Sequence, residues 1–442
     1  MDVFGILIMV GQFVLALSIL IGVHEFGHLI TAKMFGMRVE QFSIGFPPKI
    51  FSFKYGETVY SIGSIPLGGF VKISGMIDES LDTKSLSEEP QPWEFRAKPA
   101  WQRLIVMMGG IIVNVIVGMV VFIFIVYLYG DSYISKEDLN RNGIAAYGIA
   151  EGIGLQDGDK IVSVNGNDYE RMKDLLDYDV LLSDHSYYEV ERSGQIINIP
   201  IPIDLIEKLS DEKNEEGFIS PRTTFWVDSL QENKGASHAG IEKGDIILSA
   251  NGNNITYFDE LQSVLKDSKE QKIPIEVLRK DQSGKGDTLL YDVQIDDAGM
   301  MGISTGVPFK PTHVNYTFGE AMYIGPSRAI QSVIVTVQAF GRMFQGKLDP
   351  RKSLKGPIGI MQQFGYTWNW FKFWSLTGLL SMILAFMNFL PIPALDGGHV
   401  AFLSYEIISG RKPSDKFLEN AQKVGMVMLL LLMAFVIIND FL

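Results

Sequence analysis

His24, Glu25 and His28 stand in the order His-Glu-x-x-His at the end of an uncharged apolar run. Residues four apart share one face of a helix, so the two imidazoles can hold one divalent metal between them. Glu25 lies beside them and can take a proton from a metal-bound water. Such a short pattern recurs by chance in unrelated chains, and its setting gives it weight. Val3 to Val23 carries no charged side chain, close to the ~20 residues needed to cross a bilayer. Ionisable groups at the end of a membrane helix are expensive and mark function by default. The bland alternative is a buried polar cluster that ties helices together without metal. A third ligand decides, and with no cysteine in the chain it must be a histidine or a carboxylate.

A second motif offers it. Asn388-Phe389-Leu390-Pro391-Ile392-Pro393-Ala394-Leu395-Asp396-Gly397-Gly398-His399 closes another apolar stretch. Two prolines break the helix there and free backbone groups that lipid cannot satisfy, which is tolerated where the break lines a polar cavity. His24, His28 and Asp396 then make a two-imidazole, one-carboxylate set with the fourth tetrahedral position left for water. Zinc suits that set best, with Glu25 as general base. Asn388 either donates to the substrate carbonyl and its oxyanion or bonds the broken helix backbone. His399 is expected outside the ligand set, orienting Asp396 or packing.

The elements that must position these groups follow from composition and charge. The 442 residues are 47% hydrophobic with a net charge of −13. Asp131 to His313 holds 34 acidic and 18 basic residues, leaving 17 acidic and 20 basic elsewhere. An acidic water-exposed module is thus joined to a mildly basic membrane part, and nucleic-acid binding is excluded on this balance. No Lys or Arg precedes the first apolar run, whereas Lys33, Arg38, Lys49 and Lys54 follow it. The positive-inside rule therefore puts the N-terminus outside and the His-Glu motif near the cytoplasmic face. A signal peptide would need a basic start and a small-residue cleavage site, and neither is present.

Leu104 to Tyr129 is the second span, flanked inside by Lys98 and Arg103. Its Gly109, Gly110, Asn114 and Gly118 permit close helix packing. Asn114 reads equally as an interhelical hydrogen bond or as a partner of a metal ligand. Arg38 to Ile77 reads as three or four short strands with turns at Pro47-Pro48 and Tyr55-Gly56, followed by a polar loop from Asp78 to Glu94. An edge at Gly69, Phe70 and Val71 would let an extended substrate add as a strand; the alternative is a cap over the helix ends. Gly69, Phe70 and Val71, with Asn388, Pro391 and Pro393, are the expected substrate-binding residues. Thr317 to Gln345 is expected as an interfacial helix, Leu354 to Ile360 as a turn, Trp368, Trp370 and Trp374 as an aromatic belt, and Phe373 to Leu390 and Val424 to Ile438 as the last two spans. Four spans put both termini outside.

The acidic module contains a repeat. Gly154-Leu155-Gln156-Asp157-Gly158-Asp159-Lys160-Ile161-Val162-Ser163-Val164-Asn165-Gly166 returns 86 residues later as Gly240-Ile241-Glu242-Lys243-Gly244-Asp245-Ile246-Ile247-Leu248-Ser249-Ala250-Asn251-Gly252. Each copy reads as turn, strand and Asn-Gly turn, then a helical patch (Tyr169 to Leu182; Tyr257 to Leu265) and a further strand. This resembles the PDZ domain, which binds peptides along a sheet edge, or here acts as a steric filter.

Taken together, His-Glu-Phe-Gly-His on the first span and Asn-x-x-Pro-x-Pro-x-Leu-Asp-Gly-Gly on a later one resemble the site-2 protease family of intramembrane metalloproteases, in the arrangement of its bacterial, sigma-E-regulating branch. The resemblance covers the whole chain. It implies a polytopic α-helical membrane protein with four transmembrane helices, a small membrane-associated β-sheet and two tandem α+β PDZ domains. The organisation expected is a first span with the metal motif (1–36), a cytoplasmic-side sheet and loop (37–98), a second span (99–130), periplasmic PDZ domains (131–218 and 219–310), an interfacial amphipathic region (311–366), a third span with the proline motif (367–410) and a fourth (411–442). It also implies one catalytic Zn2+ on His24, His28 and Asp396 with Glu25 as base, in the inner membrane of a Gram-negative bacterium. The partners implied are the lipid bilayer and single-span membrane proteins, namely a pre-trimmed anti-sigma factor and remnant signal peptides, with the PDZ pair excluding untrimmed substrates. The competing class is a non-catalytic membrane-anchored scaffold, which would not need Glu25.

Overall fold

Residues so uniformly apolar satisfy their backbone groups internally as helices when no water is at hand. The computed structural model, which describes residues 3–76, 89–183, 185–210, 217–280 and 285–441, builds four helices long and apolar enough to cross a membrane. The chain divides into two units, Met1–Asp131 with Asn315–Leu442, and Ser132–Val314.

In the first unit, α1 (Val3–Met34) and α2 (Ala100–Tyr129) run against one another. Their backbones meet: a Cβ on Gly27 would lie 2.3 Å from the Gly109 carbonyl oxygen, and one on Gly109 would lie 2.5 Å from that of Gly27. Between them in sequence, β1 (Val39–Tyr55) and β2 (Thr58–Ile73) form one hairpin closed by Gly56, whose φ is +60°. Three or four short strands were the expectation, and the difference is one of continuity. Each long strand is used twice, because Gln41 to Ile44 face both Lys72 to Gly69 and Val59 to Ile62, while Phe51 to Tyr55 pair with Ile62 to Thr58. The stretch Gly69 to Ile73 is therefore the outer row. Val71 and Ile73 bury against Leu29, Ala32, Val106 and Met107, which fixes that row to α1 and α2. Of the polar loop expected over Asp78 to Glu94, residues 77–88 lie outside the described residues.

Beyond the second unit, α3 (Phe318–Phe344) is a single 27-residue helix containing Pro326. It starts at a capping box in which Thr317 and Glu320 bond each other's backbone N–H groups. Its Arg328 meets Asp131, which also accepts from the Tyr316 hydroxyl. The uncharged core of this stretch is short, but capping and pairing of its charges carry the helix through them. Leu354 to Ile360, expected as a turn, enters α4 (Pro357–Phe364). Asp440 accepts from the N–H groups of Gly356 and Ile358 at 2.7 and 2.8 Å, compensating the free donors at that helix start. Next come α5 (Trp370–Phe389), α6 (Asp396–Ser409) and α7 (Asp415–Asn439). Ser381 on α5 donates to the Asn114 carbonyl, and Gly118 leaves room for Met382.

The second unit repeats one plan. Lys160–Val164 pairs with Tyr187–Arg192, and Ile246–Ala250 with Lys272–Lys280, both antiparallel and both with a register shift before the serine. Each first strand runs into an Asn-Gly turn, with φ of +53° and +74° at Asn165 and Gly166 and of +49° and +80° at Asn251 and Gly252. Both residues at positive φ define the tight hairpin turn that the sequence pattern predicts. The helical patch of Tyr169 to Leu182 departs from expectation. It breaks into a 3-10 turn (Met172–Leu176) and a short helix (Tyr178–Leu181), because Asp177 is extended, whereas the second copy forms a ten-residue helix, Phe258–Asp267. Each copy has its own core, around Tyr188, Ile161 and Leu175 in one and Ile247, Ile275 and Leu261 in the other.

The same ion pair recurs in both copies. Arg192 grips buried Asp159 through two nitrogens at 2.7 Å and donates to the Gly154 carbonyl. Arg279 does the same to Asp245 and Gly240. Asp245 is buried and also accepts from the Glu242 N–H, so its removal takes the acceptor from that group and from two Arg279 nitrogens. Asp245→Ala is expected to destabilise the second copy by about 2–4 kcal/mol, read as a lowered urea midpoint for tryptic cleavage within residues 219–310 of the full chain.

Candidate metal centre

His24 and His28 sit one turn apart on α1 with their Nε2 atoms 3.3 Å apart. Asp396 arrives from the other half of the unit, in the first turn of α6. Gly397 and Gly398 make that arrival possible, since a Cβ on either would lie 2.1 Å from the Leu390 carbonyl oxygen or 2.7 Å from that of Ile392. The turn into the helix is taken at Ala394, whose φ of +87° is strained for a residue with a Cβ. Asp396 Oδ2 then lies 3.0 Å from His24 Nε2 and 3.3 Å from His28 Nε2. An ion pair between Arg103 at the start of α2 and Glu406 on α6, 2.5 Å long, holds the two helices at this separation.

These distances are those of ligand atoms about a shared centre. Tetrahedral bonds of 2.0–2.1 Å put neighbouring ligand atoms about 3.3 Å apart. Asp396 Oδ2 is buried and, among the described residues, accepts no hydrogen bond of good geometry, so proximity to the imidazoles does not satisfy it. His28 donates from Nδ1 to the Val106 carbonyl at 2.8 Å, which keeps its Nε2 lone pair free. The donor set fits a divalent metal.

Around the three atoms opens a cleft of about 620 Å3, lined on one side by His24, Glu25, His28 and Asp396 and on another by Gly69 to Ile73 of β2. Gly69 lies close over the glutamate, where a Cβ would come within 3.1 Å of Glu25 Cγ and 2.6 Å of Ile21 Cγ2. Asn388 points in from the end of α5, its Nδ2 3.4 Å from His24 Nε2. His399 lines the cleft and bonds Gln422 on α7. Pro391 and Pro393 stand apart from the lining: Pro391 is exposed, and the Pro393 backbone packs against Gly425. Of the expected site residues, the structure thus gathers His24, Glu25, His28, Asp396, Asn388, Gly69, Phe70 and Val71, and leaves the two prolines to shape the turn.

On α2, sequence reasoning offered Asn114 as one reading of a ligand's partner, and passed over Val106 and the room that Gly110 leaves at the histidines. Val106, Gly110 and Asn114 recur every four residues and so share one face. Val106 bonds His28, Asn114 Nδ2 lies 3.2 Å from His24 Nδ1, and Gly110 keeps the space between them clear. The four-residue period was the available signal.

Two imidazoles and a carboxylate converging beside a glutamate, among membrane-crossing helices, have the make-up of a membrane-embedded metallopeptidase centre. The model of Peptidase family M50 matches residues 12–432, and the chain belongs to that family. A protein of Haemophilus influenzae named Regulator of sigma E protease is 28% identical over 461 residues, covering 98% of both chains. The Escherichia coli Regulator of sigma-E protease RseP is 28% identical over 97% of both. A Vibrio cholerae protein provisionally named a zinc metalloprotease matches at the same identity over 97% of both.

A side chain at position 110 would collide with both histidines, since a Cβ there would lie 2.5 Å from His28 Nε2 and 2.6 Å from His24 Cε1. Gly110→Ala is therefore expected to lower zinc affinity at least about tenfold, measured as metal retained by the purified full chain against a competing chelator.

Proposed function

We propose that this M50 zinc metalloprotease hydrolyses peptide bonds in or beside the transmembrane segments of single-span membrane proteins. The observation that carries the reading is the convergence of His24, His28 and Asp396 in one cleft with Glu25 and the outer row of β2. When bound, zinc supplies Lewis acidity toward the scissile carbonyl and the attacking water. Glu25 accepts the proton of that water at its carboxylate while the new C–O bond forms. It then gives the proton to the departing amide nitrogen as the C–N bond breaks. Asn388 donates from Nδ2 to the developing oxyanion. Gly69, Phe70 and Val71 bind the substrate as an added strand, because among the described residues that row pairs with β1 on one side only. Extending the substrate is part of the chemistry, since a helix keeps its carbonyls bonded to itself.

The two-copy unit is read as a PDZ pair on the periplasmic side of the inner membrane, working as a size filter that admits only trimmed substrates. Its repeated Asn-Gly turns, shared strand order and separate cores support that reading. The relatives named for sigma-E regulation favour a pre-trimmed anti-sigma factor as substrate, with remnant signal peptides sharing the same chemistry. Both termini then lie outside, and the metal centre lies near the cytoplasmic face.

In detergent, with a tagged single-span substrate lacking its outer domain, the wild-type chain is expected to cleave. Glu25→Gln keeps zinc and loses about 10²–10⁴-fold in rate, while Asp396→Asn loses zinc and activity together. Zinc-free wild type that cleaves at full rate, or an active Glu25→Gln, overturns the mechanism. Deleting residues 132–314 is expected to admit a substrate that keeps its outer domain, scored as cleavage that the intact chain does not perform; equal exclusion by both removes the filter.

A further inference from the structure

Asn114 is fully buried in the middle of α2, and its Oδ1 has no hydrogen-bond partner among the described residues. Its Nδ2 lies 3.2 Å from His24 Nδ1. His24 turns Nε2 toward Asp396 and His28. On the proposed function, on which this inference rests, Nε2 is the metal-binding atom and the ring proton sits on Nδ1. Nδ1 is then a donor, and an amide NH₂ opposite it would set donor against donor. The carbonyl and NH₂ of an asparagine are alike in size, so the amide turned by 180° about Cβ–Cγ occupies the same space. One amide atom is left over in either orientation, but only the turned one removes the clash at His24.

We infer that Asn114 is a positioning residue for the metal centre, its Oδ1 accepting the Nδ1 proton of His24 and so fixing that ring's tautomer and direction. Its role mirrors that of the Val106 carbonyl toward His28. Both acceptors come from α2, eight residues apart on one face, with Gly110 between them. The Asn114 backbone is itself held, since its carbonyl accepts from Ser381 Oγ at 2.8 Å. A residue there solely for helix packing has no need of a side-chain amide set 3.2 Å from a histidine nitrogen.

The test measures zinc retained by the full chain in detergent during titration with a chromophoric chelator, for wild type, Asn114→Leu and Asn114→Asp. Leucine keeps the bulk and removes the acceptor, whereas aspartate keeps an acceptor oxygen. Asn114→Leu is expected to bind zinc about 10–100-fold more weakly, and Asn114→Asp to return to within a few-fold of wild type. Should the leucine variant fail to fold, Asn114→Ala makes the same comparison by removing only the amide. Equal zinc affinity in wild type and the leucine or alanine variant overturns the inference and leaves the protease reading standing. An aspartate variant as weak as leucine overturns it too, since packing then explains the loss. Wild type that holds no zinc removes the metal site itself, and the role of Asn114 with it.

Discussion

The contact on which the site depends is the approach of α1 to α2 at Gly27, Gly109 and Gly110. No driving force from water pulls helices together inside a bilayer, so close van der Waals packing and hydrogen bonds between helices must do so. Small residues permit the backbones to touch, and the touch falls on the turn of α1 that bears His24 and His28. From there the surrounding groups follow. The Val106 carbonyl and the Asn114 amide come within reach of the two imidazoles, and Met107 and Val106 present an apolar surface on which Val71 and Ile73 can bury. The sheet is thereby brought to the glutamate. A wider separation would lose the outer partners of the ligands and the sheet edge together.

The other half of the centre is built on a different principle. Asp396 does not ride on a long helix body but on a turn made of two prolines, a strained alanine and two glycines. Such strain is tolerated when surrounding structure over-determines it. Here Arg103 and Glu406 tie α6 back to α2, and Gly425 on α7 seats against the Pro393 backbone. The first turn of a helix also favours a carboxylate through its exposed N–H groups.

Much of this was legible from residue types. The His-Glu-x-x-His spacing, the proline break before Asp396, the four apolar runs and the 86-residue repeat are local signals, and the structure gathers His24, His28 and Asp396 within reach of one ion. What the sequence left open depended on partners distant along the chain. The doubled use of β1 and β2 cannot be seen in alternation alone, since a strand pairing on both sides has the same local pattern as two separate strands. The extent of α3 was legible from Thr317 to Gln345, whereas the partner that Arg328 finds in Asp131, far back in the chain, was not. The helical patch after Tyr169 failed for a local reason: its density of aspartates favours turns, and Asp177 takes an extended conformation. Asn114 stood between two roles because the choice turns on one distance across two helices.

The division of the donor set between α1 and α6 has a mechanical meaning. With His24, His28 and Asp396 as ligands, the ion is a cross-link joining residues more than 360 positions apart in the chain. Binding free energy at such a junction is also folding free energy, because the unfolded chain has no preformed cage. The histidine half lies on one continuous helix, whereas the aspartate half enters through a strained turn that the Arg103–Glu406 pair and Gly425 help to hold. Loss of the ion would therefore be felt first in α6 and α7, which makes metal occupancy a brace for the C-terminal helices as well as a source of reactivity.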